Sequence, residues 1–243
     1  MKNGAERLIV ETSAPAGPAG LEGDRALLGR TSTVERVADV LRDRIAEGFF
    51  PPGTRLSEDS VKASLGVSRN TLREAYRLLT HERLLVHELN RGVFVRVVTV
   101  DDLTDIFRVR TMVECGAVRG LGAPPYPLEA VESAVVAGEH AARERAWRDL
   151  STANIRFHQG IVALAGSPRA DELMRGVLAE LRLVFHVMDD PRRFHAPYLI
   201  RNRHILEVLQ SGDAPEAERL LAAYLNDSRL QLAEAYAQRV SEP

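Results

Sequence analysis

Residues 56–75, Leu-Ser-Glu-Asp-Ser-Val-Lys-Ala-Ser-Leu-Gly-Val-Ser-Arg-Asn-Thr-Leu-Arg-Glu-Ala, constrain the fold more than any other segment. Ser57 with Glu58 and Asp59 opens a helix, Leu65-Gly66 closes it, and Ser68 caps the next one. The turn between them is tight, and glycine suits it because a helix C-cap often needs positive φ. Val61, Leu65, Val67, Leu72, Ala75 and Leu79 can form one core that fixes the angle between the two helices.

The flanking residues extend this into a domain. Thr33 can cap a helix whose Val34, Val37, Val40, Leu41 and Ile45 repeat at helical spacing, and Gly48 closes it. Phe49-Phe50-Pro51-Pro52-Gly53 is a turn, since two prolines cannot continue a helix. The helix capped by Ser68 runs to about Arg83. Two short β-prone runs, 84–87 and 93–97, are joined by a loop containing Asn90, Arg91 and Gly92. Three helices and a hairpin over 33–98 outline a winged helix-turn-helix. Residues 1–32, with a run of Pro, Gly and Ala at 13–20, read as a flexible tail.

From Val100 onward the pattern is helical. Asp101-Asp102 places acid at a helix N-terminus, where the macrodipole favours it. Breaks fall at Pro124-Pro125 and Pro127, Gly166-Ser167-Pro168, Asp190-Pro191 and 211–215, leaving helical stretches at about 127–146, 147–165, 168–188, 193–211 and 214–238. The expected fold is mainly α: a winged helix-turn-helix with a small hairpin, then an antiparallel all-α bundle over 101–238. A chain that is 45% hydrophobic but only 5% aromatic, with its apolar stock mostly Ala, Leu and Val, fits packed helices.

Composition narrows the function classes. No stretch of about 18 apolar residues exists, so no membrane span is expected. The apolar run at 8–10 is too short for a secretory leader. Cys115 is the one cysteine, cannot form an internal disulfide, and reads as a small buried residue in a reducing, cytoplasmic setting. There is no phosphate-binding glycine loop, nucleophile elbow or paired-cysteine motif, so an enzyme is not expected.

The start of the third helix carries Ser68, Arg69, Asn70, Thr71 and Arg73, the residue types that read DNA. A helix N-terminus attracts phosphate, hydroxyls anchor it, and arginine can take both acceptors of a guanine. Arg69 is assigned to base edges, with Ser68, Thr71 and Arg73 mainly on phosphates or flanking bases. Arg91 and Gly92 in the wing would approach the backbone or minor groove. The alternative is a solvated face in which these arginines pair with Glu74 and Glu82. Charge does not decide between the two, since residues 33–98 hold 11 Lys/Arg against 9 Asp/Glu. A helical interaction protein without DNA binding would leave this cluster without a purpose.

Residues 33–98 resemble the N-terminal domain of the GntR family of bacterial regulators. The resemblance rests on Phe50-Pro51-Pro52-Gly53-Thr54-Arg55-Leu56-Ser57-Glu58, on Leu65-Gly66-Val67-Ser68-Arg69-Asn70-Thr71-Leu72-Arg73-Glu74-Ala75, and on Asn90-Arg91-Gly92-Val93-Phe94-Val95. It implies a homodimer on a palindromic operator in double-stranded DNA, and adds Arg55 to the DNA-binding set. Most members carry proline where this chain has Asn70 or Thr71.

Residues 101–238 are similar to the FCD domain of the FadR-like subgroup, through Arg110-Thr-Met-Val-Glu114, Phe157-His158 with Ala165-Gly166-Ser167-Pro168, and Ile205-Leu206-Glu207 with Gly212-Asp213. The resemblance implies a central pocket, which in many members holds a divalent metal between an Asp, a His four residues on, and two later His. The corresponding positions here are Asn154, His158, Asn202 and Tyr224. Three of these four are poor metal ligands, so loss of the metal is expected and no cofactor is assigned. A metal-dependent carboxylate sensor is the alternative. His204 lies two residues from Asn202 and so points to another helix face. Without metal, Arg110 can clamp a carboxylate while Asn154, His158, Asn202 and Tyr224 add hydrogen bonds. Arg110 could equally form a structural salt bridge with Glu114, one turn on. The subgroup also includes metal-free acyl-coenzyme A sensors. The expected function is a ligand-responsive regulator, with repression relieved by a small organic acid or another polar metabolite.

Overall fold

The computed structural model describes residues 32–185 and 191–241. The tail expected at 1–32 lies, apart from Ser32, outside them.

Three helices begin the chain: α1 (Thr33–Ala46), α2 (Glu58–Leu65) and α3 (Arg69–His81). Sequence reading places the first cap at Thr33, but the structure places it one residue earlier. Ser32 Oγ accepts from the Glu35 backbone N–H, and the Ser32 N–H donates to the Glu35 carboxylate at 2.7 Å, forming a reciprocal capping box. Gly48 then adopts φ +77° just beyond the end of α1.

Strands β1 (Leu85–Glu88) and β2 (Gly92–Val95) form an antiparallel hairpin in which Leu85 faces Val95 and Glu88 faces Gly92. Each strand is displaced by a residue or two from its expected place. The segment before α2 also does more than turn. Gly53 N–H donates to Val95 C=O, Val95 N–H to Thr54 C=O, and Leu56 N–H to Val93 C=O, each at 2.9 Å. The second edge of β2 is thereby satisfied, which matters because an open strand edge invites pairing with another chain. Val37, Leu41, Ile45, Leu72, Ala75 and Leu79 fill the core beneath.

The remaining helices form the bundle. They are α4 (Val100–Arg110) and α5 (Gly116–Arg119), joined through a π-helical turn at Thr111–Cys115, then α6 (Glu129–Arg143), α7 (Trp147–Ala163), α8 (Pro168–Phe185), α9 (Pro191–Gln210) and α10 (Ala214–Ser241). The π turn departs from the uninterrupted helix expected here. Such turns add a residue to the helical register and occur often at functional sites. This one contains Glu114, which is fully buried.

Gly160 lets α6 and α7 approach closely. A Cβ there would lie 3.1 Å from the Val131 backbone nitrogen and 3.2 Å from its Cα. Because backbone cannot swing aside, Gly160→Ala is expected to cost about 1–3 kcal/mol by overpacking. Urea unfolding of the full chain measures it, and an unchanged midpoint would contradict this packing.

The two halves are joined by a charged contact. Arg96, just after β2, donates to Asp102 at the start of α4 at 2.6 Å and to Glu180 on α8 at 2.5 Å. Burial pushes the Glu180 carboxyl up from its ordinary value, and Arg96 opposes that shift.

Candidate functional site

Two sites are built on this frame. The first is the exposed start of α3. Ser57 caps α2, so Glu58 and Asp59 sit in its first turn, where the helix dipole favours carboxylates. Gly66 ends α2 at φ +64°, in the left-handed region that glycine tolerates. Ser68 caps α3 by accepting from the Thr71 N–H at 3.1 Å, and its hydroxyl lies 2.8 Å from the Thr71 hydroxyl. Leu72, Ala75 and Leu79 bury the opposite face of α3, which turns Arg69, Asn70 and Arg73 outward.

The arginines do not pair with Glu74 and Glu82. Arg69 reaches Asp59 at 2.8 Å and Arg73 reaches Glu58 at 3.1 Å, whereas Glu74 binds Arg77 and Glu82 binds Arg42. Arg69 and Arg73 remain about half exposed, at 54% and 55%. Exposed pairs of this kind contribute roughly 0–1 kcal/mol, so a phosphate or a base edge can displace the carboxylates at little cost. Sequence reasoning missed these partners, although Glu58 and Asp59 stand in the same motif.

The wing carries the rest of this surface. Gly92 has φ +109°, and a Cβ there would come within 3.4 Å of Arg55 Nε, so the absence of a side chain lets the Arg55 guanidinium lie against the wing backbone. Arg91 pairs with Glu88 and stacks over the Phe94 ring at 5.3 Å. Leu89 at the tip is 81% exposed, an apolar side chain on this surface that the sequence did not single out.

The second site lies inside the bundle. Arg110, Asn154, His158, Asn202 and Tyr224 are all buried, and they come together around Glu114. Arg110 Nε donates to Glu114 at 2.9 Å, and its guanidinium lies 4.8 Å from the Phe107 ring. His158 Nδ1 is 2.6 Å from the other Glu114 oxygen. Tyr224 OH lies 3.2 Å from His158 Nε2 and 2.9 Å from Asn154 Oδ1, to which it donates. Asn202 Nδ2 donates to the same Asn154 oxygen at 2.8 Å. The Arg110–Glu114 salt bridge is therefore formed, yet it does not use up the arginine: Arg110 Nη2 and Asn202 Oδ1 are buried without a hydrogen-bond partner. His204 is exposed and takes no part. Cys115 is buried and free, and burial pushes its thiol up to about 11, so it is inert packing.

Charge in this network is set by burial and pairing. Burial opposes ionisation of Glu114, but Arg110 and His158 together outweigh it and hold the carboxyl below its ordinary value. Burial likewise lowers His158 below 6.5, against the pull of Glu114 and with help from Arg110. The arrangement is thus one cation, one anion and a neutral imidazole. A depressed folded-state pKa means that the unfolded chain binds more protons below the unfolded value. Stability should therefore fall as pH drops through about 6.5, where unfolded His158 begins to charge, and fall further below about 4.5, where unfolded Glu114 protonates. Thermal unfolding at about pH 7.5 and pH 5 tests the first step. His158→Gln should flatten the decline, and an equally steep decline in that variant would contradict the assignment.

These residues do not fit a divalent metal. His158 Nδ1 and both Glu114 oxygens are engaged within the network, Asn154 Oδ1 already accepts twice, and neutral Asn202 and Tyr224 are weak metal ligands. Among the described residues, no group of three or more His, Cys, Asp or Glu is placed to hold one. No described helix is long and apolar enough to cross a membrane.

Both halves of the chain match known families. The family model whose description reads "Bacterial regulatory proteins, gntR family" matches residues 33–95, and the FCD domain model matches residues 105–227. A crystal structure from Rhodococcus sp. RHA1, named as a GntR transcriptional regulator, is 48% identical with a TM-score of 0.81, covering 85% of this chain and 100% of that one. The Nta operon transcriptional regulator of Aminobacter aminovorans is 27% identical over 195 residues, which are 79% of this chain and 91% of the relative. The gluconate operon transcriptional repressor of Bacillus licheniformis is 38% identical over 95 residues, 39% of each chain.

Proposed function

The chain belongs to the GntR family of bacterial transcriptional regulators and carries an FCD domain, and from that premise we propose that it is a cytoplasmic repressor, binding a palindromic operator as a homodimer and released by a small organic acid. The observation that carries this reading is the start of α3, where a capped helix N-terminus and two exposed arginines sit on one surface. Arg69 is the base reader. Ser68, Asn70, Thr71 and Arg73 fix the helix on phosphates and flanking bases, and Arg55, Arg91 and Gly92 bring the wing to the backbone. A two-fold dimer presents two such helices to inverted half-sites.

The effector reading is supported by the unpaired Arg110 Nη2 and Asn202 Oδ1. Buried polar atoms without partners cost about 1–3 kcal/mol each, so a ligand that supplies both partners recovers that energy. One group must accept from the arginine and another must donate to the amide oxygen, which is the pattern of a hydroxy acid. The ligand would bind without metal. The six polar side chains pack on one another, so access requires breaking an internal contact. The His158–Tyr224 contact at 3.2 Å is the longest and the easiest to give up. Opening the network would shift the bundle and, through it, the spacing of the winged domains.

The test is a panel of short hydroxy acids, gluconate among them, titrated into the full chain bound to a labelled duplex that the protein has selected from random sequence. At least one acid should change DNA affinity by roughly tenfold, a typical coupling. Arg110→Lys, which keeps charge but loses the planar fork, should lose the response. A panel without effect, or a response unchanged in Arg110→Lys, would overturn the effector assignment.

A further inference from the structure

A cavity of about 480 Å³ lies between the winged domain and the bundle, apart from both sites above. Asp43 and Glu47 of α1 line it from one side, and Arg148, Asp149 and Arg156 of α7 with Arg175 and Arg182 of α8 from the other, four arginines against one carboxylate on that wall. Neither Glu47 nor the neighbouring Arg42 is available, since Glu47 pairs with Arg44, and Arg42 with Glu82 and Asp39. The four bundle arginines differ. None of them forms an ion pair among the described residues. Arg182 is half-buried, and among the described residues its guanidinium makes a long 3.4 Å contact to Thr152. Burial and the nearby Arg156 both weigh against its charge, and Asp43 only partly compensates. Four arginines in one cleft repel one another, and an unpaired guanidinium presents a planar fork of donors matched to phosphate or carboxylate.

We propose that this interdomain cleft is a second ligand site, taking a compact polyanion, a phosphorylated or polycarboxylate metabolite, on Arg156, Arg175 and Arg182. The site does not depend on the Arg110 network. Because its walls come from both domains, occupancy favours the domain arrangement in which α1 and the α7–α8 pair lie close together, and so biases the spacing of the DNA-reading helices.

Isothermal titration of the DNA-free full chain with inorganic pyrophosphate, and separately with citrate, tests this at constant ionic strength. Saturable binding of at least one probe, one per chain, is expected, and which probe binds identifies the phosphate or the carboxylate class. The variant Arg156→Gln/Arg175→Gln, altered at two exposed positions and checked for an unchanged unfolding midpoint, should weaken that binding by at least about tenfold through loss of two charge-assisted contacts. Arg69→Ala controls for anions gathering on the DNA face and should retain the binding. No saturable binding of either probe, or binding undiminished in the double variant, overturns the proposal, as does binding that disappears with Arg69→Ala.

Discussion

Glu114→Ala is expected to destabilise the folded chain by about 3–5 kcal/mol, the cost of breaking a buried ion pair from one side. Glu114 is 0% exposed and Arg110 1% exposed, so neither can turn to water. Among the described residues the carboxylate is the anion paired with the guanidinium, and it also receives the His158 N–H. Its removal leaves Arg110, already short of one partner at Nη2, as an uncompensated buried charge. Glu114→Gln should cost less, because an amide oxygen still accepts from Arg110 Nε. Replacing both partners with apolar residues, as in Arg110→Met/Glu114→Leu, should recover much of the loss, since well-packed hydrophobic groups match buried ion pairs in stability. Urea unfolding of the three variants at neutral pH gives the ordering, provided the denaturant slopes agree. A Glu114→Ala midpoint equal to that of the parent would mean that the pair is not buried as described.

Arg69→Ala should weaken specific DNA binding by about 1–3 kcal/mol, roughly fivefold to 150-fold, and relax the choice of base at one position in each half-site. Arg73→Ala should instead weaken all sequences alike and reduce the salt dependence by one phosphate contact. The difference follows from position, with Arg69 in the first turn of α3 and Arg73 one turn further on. In the free protein both are held by the acids that open α2, at 2.8 Å and 3.1 Å. Those acids thus compete with DNA, and Asp59→Asn should tighten binding slightly, by no more than the roughly 0–1 kcal/mol of an exposed pair. Fluorescence anisotropy on matched and single-base-altered duplexes separates the three cases. An Arg69→Ala protein with unchanged affinity and base preference would remove Arg69 from the reading role.

How much of this the sequence disclosed depends on how locally each feature is determined. Gly66, Ser57 and Ser68 act on backbone groups within a few residues, so the helix-turn-helix could be read directly. The bundle helices were bounded by prolines and glycines that act just as locally. Ser32, rather than Thr33, caps α1 because Glu35 answers it three residues later, a reciprocal pattern already present in the sequence. The π turn at Thr111–Cys115 carries no composition or periodicity signal that separates it from the α-helix on either side. Glu114 is related by spacing along the helix only to Arg110, one turn away. Its bond to His158 comes from a separate helix and shows only in three dimensions. The interdomain arginines are further still from local reading, since α1 and α8 meet only through tertiary packing, and on the sequence Arg156 and Arg182 look like ordinary solvated charge.

The most direct measurement is selection of duplex DNA from a random-sequence pool by the full chain, followed by anisotropy on the enriched sequence over a range of salt concentrations. The account predicts an enriched pair of inverted half-sites and an affinity that falls steeply with salt, as phosphate contacts release counterions. No enriched sequence, together with an affinity indifferent to salt, would contradict the claim that the start of α3 is a DNA-reading surface.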